Sequence, residues 1–103
     1  MRQKGYIYFV KPKVGLCMSG VKIGFSVNPR RRLHALQCEA AVPLMLDGFV
    51  PALRNHERTL HRVLRRYRMY GEWFATTIAV NRAISDIMRE GSLSKSIVLE
   101  IST

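Results

Sequence analysis

The sequence predicts a single small α+β domain with elements in the order β-β-α-β-α-α, and three observations carry that expectation. Two short β-branched and aromatic runs open the chain on either side of a glycine-containing stretch. Helical apolar periodicity then begins twice, once after Asn28-Pro29 and again after Pro51. Gly and Pro punctuate nearly every boundary between these segments. A length of 103 residues suits one domain, and 48% hydrophobic against 23% charged residues excludes disorder for most of the chain.

Gly5 to Val10 (GYIYFV) reads as a strand buried on both faces and central to a sheet. Lys11 to Gly20, with Pro12, Gly15 and Gly20, reads as a long hairpin loop. Val21 to Val27 alternates strictly, with Val21, Ile23 and Phe25 on one face and Lys22, Gly24 and Ser26 on the other. Asn28-Pro29 is a helix start, since Asn accepts from free first-turn N–H groups and Pro is preshaped for the first helical position. About ten helical residues follow, with Leu33, Leu36 and Ala40 on the apolar stripe. Leu44 to Val50 is a third strand bounded by Pro43 and Pro51. Ala52 to about Met69 reads as the strongest helix, closed by Gly71. Thr76 or Thr77 caps a last helix that runs to about Arg89 and stops at Gly91. Residues 1–90 are thus expected to form the domain, and 91–103 a tail whose β-like Ile97 to Ile101 can add to an edge.

Charge narrows the function. The formal net charge is +10, and residues 1–74 hold 14 bases against 4 acids while residues 75–103 are neutral. Such a surface suits a polyanion, because each neutralised phosphate releases condensed counterions. The expected partner is DNA, with RNA left open. The neutral last quarter is the natural place for a homodimer contact if the chain is not a monomer. Cys17 and Cys38 lack the close spacing of a zinc or redox motif and read as free thiols. The N-terminal apolar run is too short for a signal sequence or a membrane span, which predicts a cytoplasmic protein without a membrane partner.

Glu57 is the most informative single residue. It falls four residues after Leu53, three before Leu60 and seven before Leu64, so it interrupts the apolar stripe of its own helix. A carboxylate there is costly unless it is paired or binds a metal. A nearby arginine or a divalent cation would each satisfy it, and His61 at i+4 either shares that site or lines its edge. Among Arg30, Arg31 and Arg32, a turn of about 100° per residue points Arg31 outward and lets Arg32 reach the sheet. Tyr6 and Tyr8 share one face of the first strand, as do Lys22 and Ser26 on the second. If those faces coincide, Tyr, Lys, Arg and Glu converge. Arg54, Arg58, Arg62, Arg65 and Arg66 crowd the glutamate helix; the spacing of 54, 58, 62 and 66 puts four like charges on one face, where an anion relieves their repulsion.

This constellation resembles the GIY-YIG nucleases, in particular a compact phage-type branch with a KIG second motif and a GEWF box. The matching residues are Gly5-Tyr6-Ile7-Tyr8, Lys22-Ile23-Gly24 with Ser26, Arg32, Glu57 and His61 as E-x-x-x-H, and Gly71-Glu72-Trp73-Phe74. The resemblance implies a three-stranded antiparallel sheet flanked by helices, and Mg²⁺-dependent hydrolysis (Mn²⁺ substituting) of DNA phosphodiesters at one site. It implies that Tyr8 helps to activate water or acts as base, that Arg32 clamps the scissile phosphate, and that Glu57 is the sole carboxylate ligand of the cation. Lys22 departs from the pattern, standing where a tyrosine is usual with an ammonium that is a poor base near neutral pH. Deprotonation then falls to Tyr8, or to His34 or His61 if either turns inward. The same departure leaves open a catalytically weak module that only binds nucleic acid or blocks a partner.

Overall fold

Gly5 to Val10 does become an interior strand, paired on both sides, although the strand that follows it, and not this one, is the middle strand of the sheet. The computed structural model describes residues 3–13 and 20–93. In it β1 (Lys4–Pro12) pairs antiparallel with β2 (Val21–Ser26) on one side and with β3 (Leu44–Leu53) on the other. Alternation along β2 sets the two faces. Val21, Ile23 and Phe25 join Ile7, Phe9 and Val50 in the larger core, while Lys22, Gly24 and Ser26 lie opposite Val10, Tyr8 and Tyr6 on the other face.

The helices cover these faces unequally. α1 (Pro29–Glu39) starts as its sequence dictates, with the Asn28 carboxamide accepting from the Arg31 N–H at 3.1 Å and Pro29 in the first turn. Its Leu33, Leu36 and Ala40 pack over Tyr8, Val10 and Leu44. Gln37 ties the helix end to β3 by donating to the Val42 carbonyl at 3.0 Å and accepting from the Leu44 N–H at 2.7 Å. α2 (Arg54–Val63) and α3 (Ile78–Glu90) cover the opposite face through Leu60, Leu64, Val80, Ala83, Ile84 and Ile87. Thr77 caps α3 by accepting from the Val80 N–H, and Gly91 ends it at φ 79°. The described part of the neutral last quarter therefore buries its apolar face in this chain's own core.

The α+β class and its flanking helices hold, and three sequence expectations are corrected. β3 runs through Pro51 to Leu53 instead of ending at Val50. It is the outermost strand beside β1, where a missing N–H interrupts no ladder. α2 ends at Val63, well short of Met69; a 3₁₀ turn (Arg65–Tyr67) follows. The chain then forms a hairpin, β4 (Arg68–Tyr70) and β5 (Trp73–Phe74), which widens the expected three strands to five in the order β3-β1-β2-β5-β4. Gly71, at φ 51°, turns this hairpin and does not close a helix. Cys17 and the Ile97 to Ile101 tail lie outside the described residues. Cys38 is a free, exposed thiol. No helix among the described residues is long and apolar enough to cross a membrane.

Candidate active site

The site grows from a gap in the sheet. β5 pairs with β2 only at Val21 and Lys22, so the outer edge of β2 from Ile23 onward has no strand beside it. Exposed backbone groups on a buried strand need partners. The turn before β5 and the polar residues of α2 supply them. The Ile23 N–H donates to the Glu72 carbonyl at 3.0 Å, and the Ile23 carbonyl accepts from His61 Nε2 at 2.7 Å. One turn earlier on α2, the Glu57 carboxylate accepts from the Phe25 N–H. The two polar residues that break the apolar stripe of α2 thus serve consecutive outward-facing groups of β2. Because a carbonyl can only accept, Nε2 of His61 carries the proton in this bond. Its ring also stands edge-on to Phe74, with centroids 5.0 Å apart.

Tyr8 reaches the same place from β1. It lies opposite Gly24 in register, and its ring crosses over that residue so closely that a Cβ at Gly24 would meet Tyr8 Cζ at 2.5 Å. Only glycine leaves this passage open. The phenol is 1% exposed and accepts a hydrogen bond from the Arg32 guanidinium. Burial pushes Tyr8 above its usual pKa near 10, opposed by the Arg32 bond and assisted by the negative charge of Glu72. The hydroxyl therefore keeps its proton near neutral pH. Arg32 is raised in turn by its bond to Tyr8 and stays charged.

Two carboxylates complete the cluster. Burial, followed by the charge of Glu72, raises Glu57 above the ordinary 4.5, while His61, the Phe25 N–H and Arg54 act in the opposite sense. The ion pairs among the described residues are Lys11–Asp47, Lys22–Glu72 and Arg89–Asp86, so no arginine pairs with Glu57. Lys22 Nζ instead lies 2.9 Å from Glu72, with the lysine side chain only 11% exposed. Glu72 belongs to the GEWF box, yet no periodicity or spacing in the sequence marks it as a site residue. Its signal was that it is one of only 4 acids in the basic segment. Among the described residues no three His, Cys, Asp or Glu side chains converge as a metal cage. Glu57 is a single oxygen donor whose burial and acidic neighbour favour a neutralising cation. That chemistry suits a hard ion that keeps several waters, as Mg²⁺ does, and does not suit zinc.

The remaining candidates separate. Ser26 Oγ accepts from the Asn28 N–H at 3.0 Å and so shapes the entry to α1. Tyr6 stands edge-on to Phe49. His34 and Arg31 are exposed on α1, and neither bonds a residue of the cluster. Arg54, Arg58 and Arg62 are exposed along α2, with Arg54 Nε also donating to Gln3 Oε1 at 2.7 Å. The four-arginine face is corrected: Arg65 and Arg66 lie beyond the helix, exposed in the 3₁₀ turn.

A model of the T5orf172 domain matches residues 5–90. No curated protein and no solved structure matches the chain. The match spans β1 through α3, and with it every residue of the cluster around Tyr8, Arg32, Glu57 and Glu72. The chain belongs to the T5orf172 domain family, a phage-associated domain related to nuclease-like folds of the GIY-YIG and HNH kinds.

Proposed function

We propose that the chain is a Mg²⁺-dependent endonuclease that hydrolyses DNA phosphodiesters at the single site formed by Tyr8, Arg32 and Glu57. One observation carries the reading: a charged guanidinium is anchored on a buried phenol, in one cluster with a half-buried carboxylate that no ion pair among the described residues engages. Arg32 grips the scissile phosphate and offsets the charge that grows on it, and the Tyr8 hydroxyl fixes the guanidinium in place. Glu57 would hold the cation, oriented by the Phe25 N–H. When bound there, a divalent ion supplies positive charge to the phosphate oxygens and lowers the pKa of a coordinated water. Since Tyr8 retains its proton, its part is to position and not to abstract. Lys22, held by Glu72, adds positive charge at the margin. The exposed arginines of α2 and of the 3₁₀ turn contribute affinity without sequence preference.

Nicking of supercoiled plasmid tests this directly. Arg32→Ala should abolish it with the fold intact, as judged by circular dichroism. A second reading is favoured by the Lys22–Glu72 pair, which occupies the lysine at the position where the resemblance expects a tyrosine. On that reading the chain binds nucleic acid without turnover, and gel shifts with no cleavage in either Mg²⁺ or Mn²⁺ would establish it.

A further inference from the structure

An aromatic patch next to this cluster is only partly covered by the helices. Phe49 lies directly opposite Tyr8 in the β1–β3 register, hence on the same face of the sheet and one strand further out. It is 36% exposed. Leu33 and Leu36 of α1 cover Tyr8, Val10 and Leu44, but neither Phe49 nor Tyr6 belongs to either core cluster. A phenylalanine kept for packing would be buried by the helix that passes beside it. Here its contacts are instead those of a platform. Tyr6 braces it edge-on, with centroids 5.2 Å apart at 83°, and the Arg30 guanidinium stands 6.0 Å above the ring.

We propose that Phe49, Tyr6 and Arg30 form a stacking subsite for an unpaired nucleobase of the DNA strand whose phosphate is held by Arg32. The inference rests on the nuclease reading and names the substrate class it would take. A base stacked on both sides needs about twice the 3.4 Å stacking distance, or roughly 6.8 Å between the planes. Arg30 Cζ lies 6.0 Å from the ring centroid and the side chain is exposed, so outward movement of this flexible side chain admits the base. The first turn of α1 then reaches two ways: Arg32 bonds Tyr8 and Arg30 overhangs Phe49, while Arg31 points to solvent. Adjacent strands lie about 4.8 Å apart, within the reach of one nucleotide from its own phosphate. In a duplex both faces of every base are already stacked. The platform therefore selects DNA with an unstacked nucleotide beside the scissile bond, as in single strands, flaps, bulges or a flipped position.

The test uses the full chain in EDTA, so that binding is read without cleavage, with a short oligonucleotide carrying one 2-aminopurine whose fluorescence falls when the base stacks. The wild type should quench the single-stranded probe and bind it more tightly than the same sequence in a duplex. Phe49→Ala should weaken single-strand binding by about 5- to 150-fold, the equivalent of about 1–3 kcal/mol, and abolish the quench. Phe49→Trp should restore both, whereas Phe49→Leu, which keeps apolar bulk and stability, should not. Unchanged quench and affinity in Phe49→Ala and Phe49→Leu, with binding still lost in Arg32→Ala, would overturn the subsite and leave the nuclease reading standing. Absence of any DNA binding by the wild type overturns both.

Discussion

One added methyl group at Gly24 should disable the site without touching any charged residue. A Cβ there would meet Tyr8 Cζ at 2.5 Å and Cε2 at 2.9 Å, with the hydroxyl closer still. Carbon atoms rest at about 3.5–4.0 Å, so the ring must retreat by about 1 Å. Leu33 and Leu36 pack against the same cluster and resist that movement. Overpacking of this kind costs about 1–3 kcal/mol, and each kcal/mol lowers the melting temperature by about 4–8 °C for a domain of this size. Retreat also takes the phenol away from Arg32, and a misplacement of about 1 Å at a positioned group is worth about 10²-fold in rate. Thermal unfolding followed by circular dichroism, with plasmid nicking in parallel, reads both effects. A Tyr8→Leu background supplies the control, since it removes the ring atoms that the new methyl would strike. There Gly24→Ala should cost under about 0.5 kcal/mol, giving a coupling of about 0.5 kcal/mol or more. Equal penalties in the two backgrounds would refute the close passage of Tyr8 over Gly24 as the reason for the glycine.

Three further predictions address the groups around it. Glu57 lies above its ordinary 4.5, so the folded state holds that proton more tightly than the unfolded chain. The contribution is complete below about pH 4.5 and is lost as pH rises through the higher folded value. In EDTA, Glu57→Gln should melt higher than the wild type at pH 7, with the gap closing below about pH 4; a variant that melts lower at pH 7 contradicts the sign. Removing either end of the Lys22–Glu72 pair should cost unequally, because Lys22 is 11% exposed and Glu72 38%. Urea titration should show about 1–3 kcal/mol lost in Glu72→Ala, which strands the covered ammonium. Lys22→Met, which strands the wetter carboxylate, should lose less than about 1 kcal/mol. His61→Ala leaves the carbonyl of fully buried Ile23 without its 2.7 Å donor and should cost about 1–3 kcal/mol in the same assay, with His61→Gln recovering part of the loss.

Local chemistry was legible wherever it decides the structure. Asn28-Pro29 starts α1 and Gly91 ends α3 as expected, because caps act within a few residues of themselves. The strict alternation of β2 likewise put Lys22, Gly24 and Ser26 on one face, and the β1–β2 register makes that the face of Tyr8. The end of α2 was not legible, since Leu64 and Tyr67 continue its apolar spacing and Arg65 and Arg66 are good helix formers. What breaks the helix is tertiary: Phe74 is drawn fully into the core beside Val21, and Tyr67 accepts from the Ala75 N–H at 2.8 Å. That hairpin also delivers Glu72, so missing it meant missing the carboxylate that holds Lys22. Glu57 stood out by breaking the stripe, yet its bond to the Phe25 N–H depends on how far β5 extends along β2, which no local pattern encodes.

The central claim is that the carboxylate at the open edge of β2 serves phosphodiester cleavage, and plasmid nicking by wild type and Glu57→Ala, each with Mg²⁺ and with EDTA, tests it most directly. The wild type should convert supercoiled to open-circular DNA only with Mg²⁺. Glu57→Ala should remain folded, shift the same plasmid in a gel and leave it uncut under both conditions. Cleavage by Glu57→Ala at the wild-type rate, or nicking by the wild type that persists in EDTA, would contradict it.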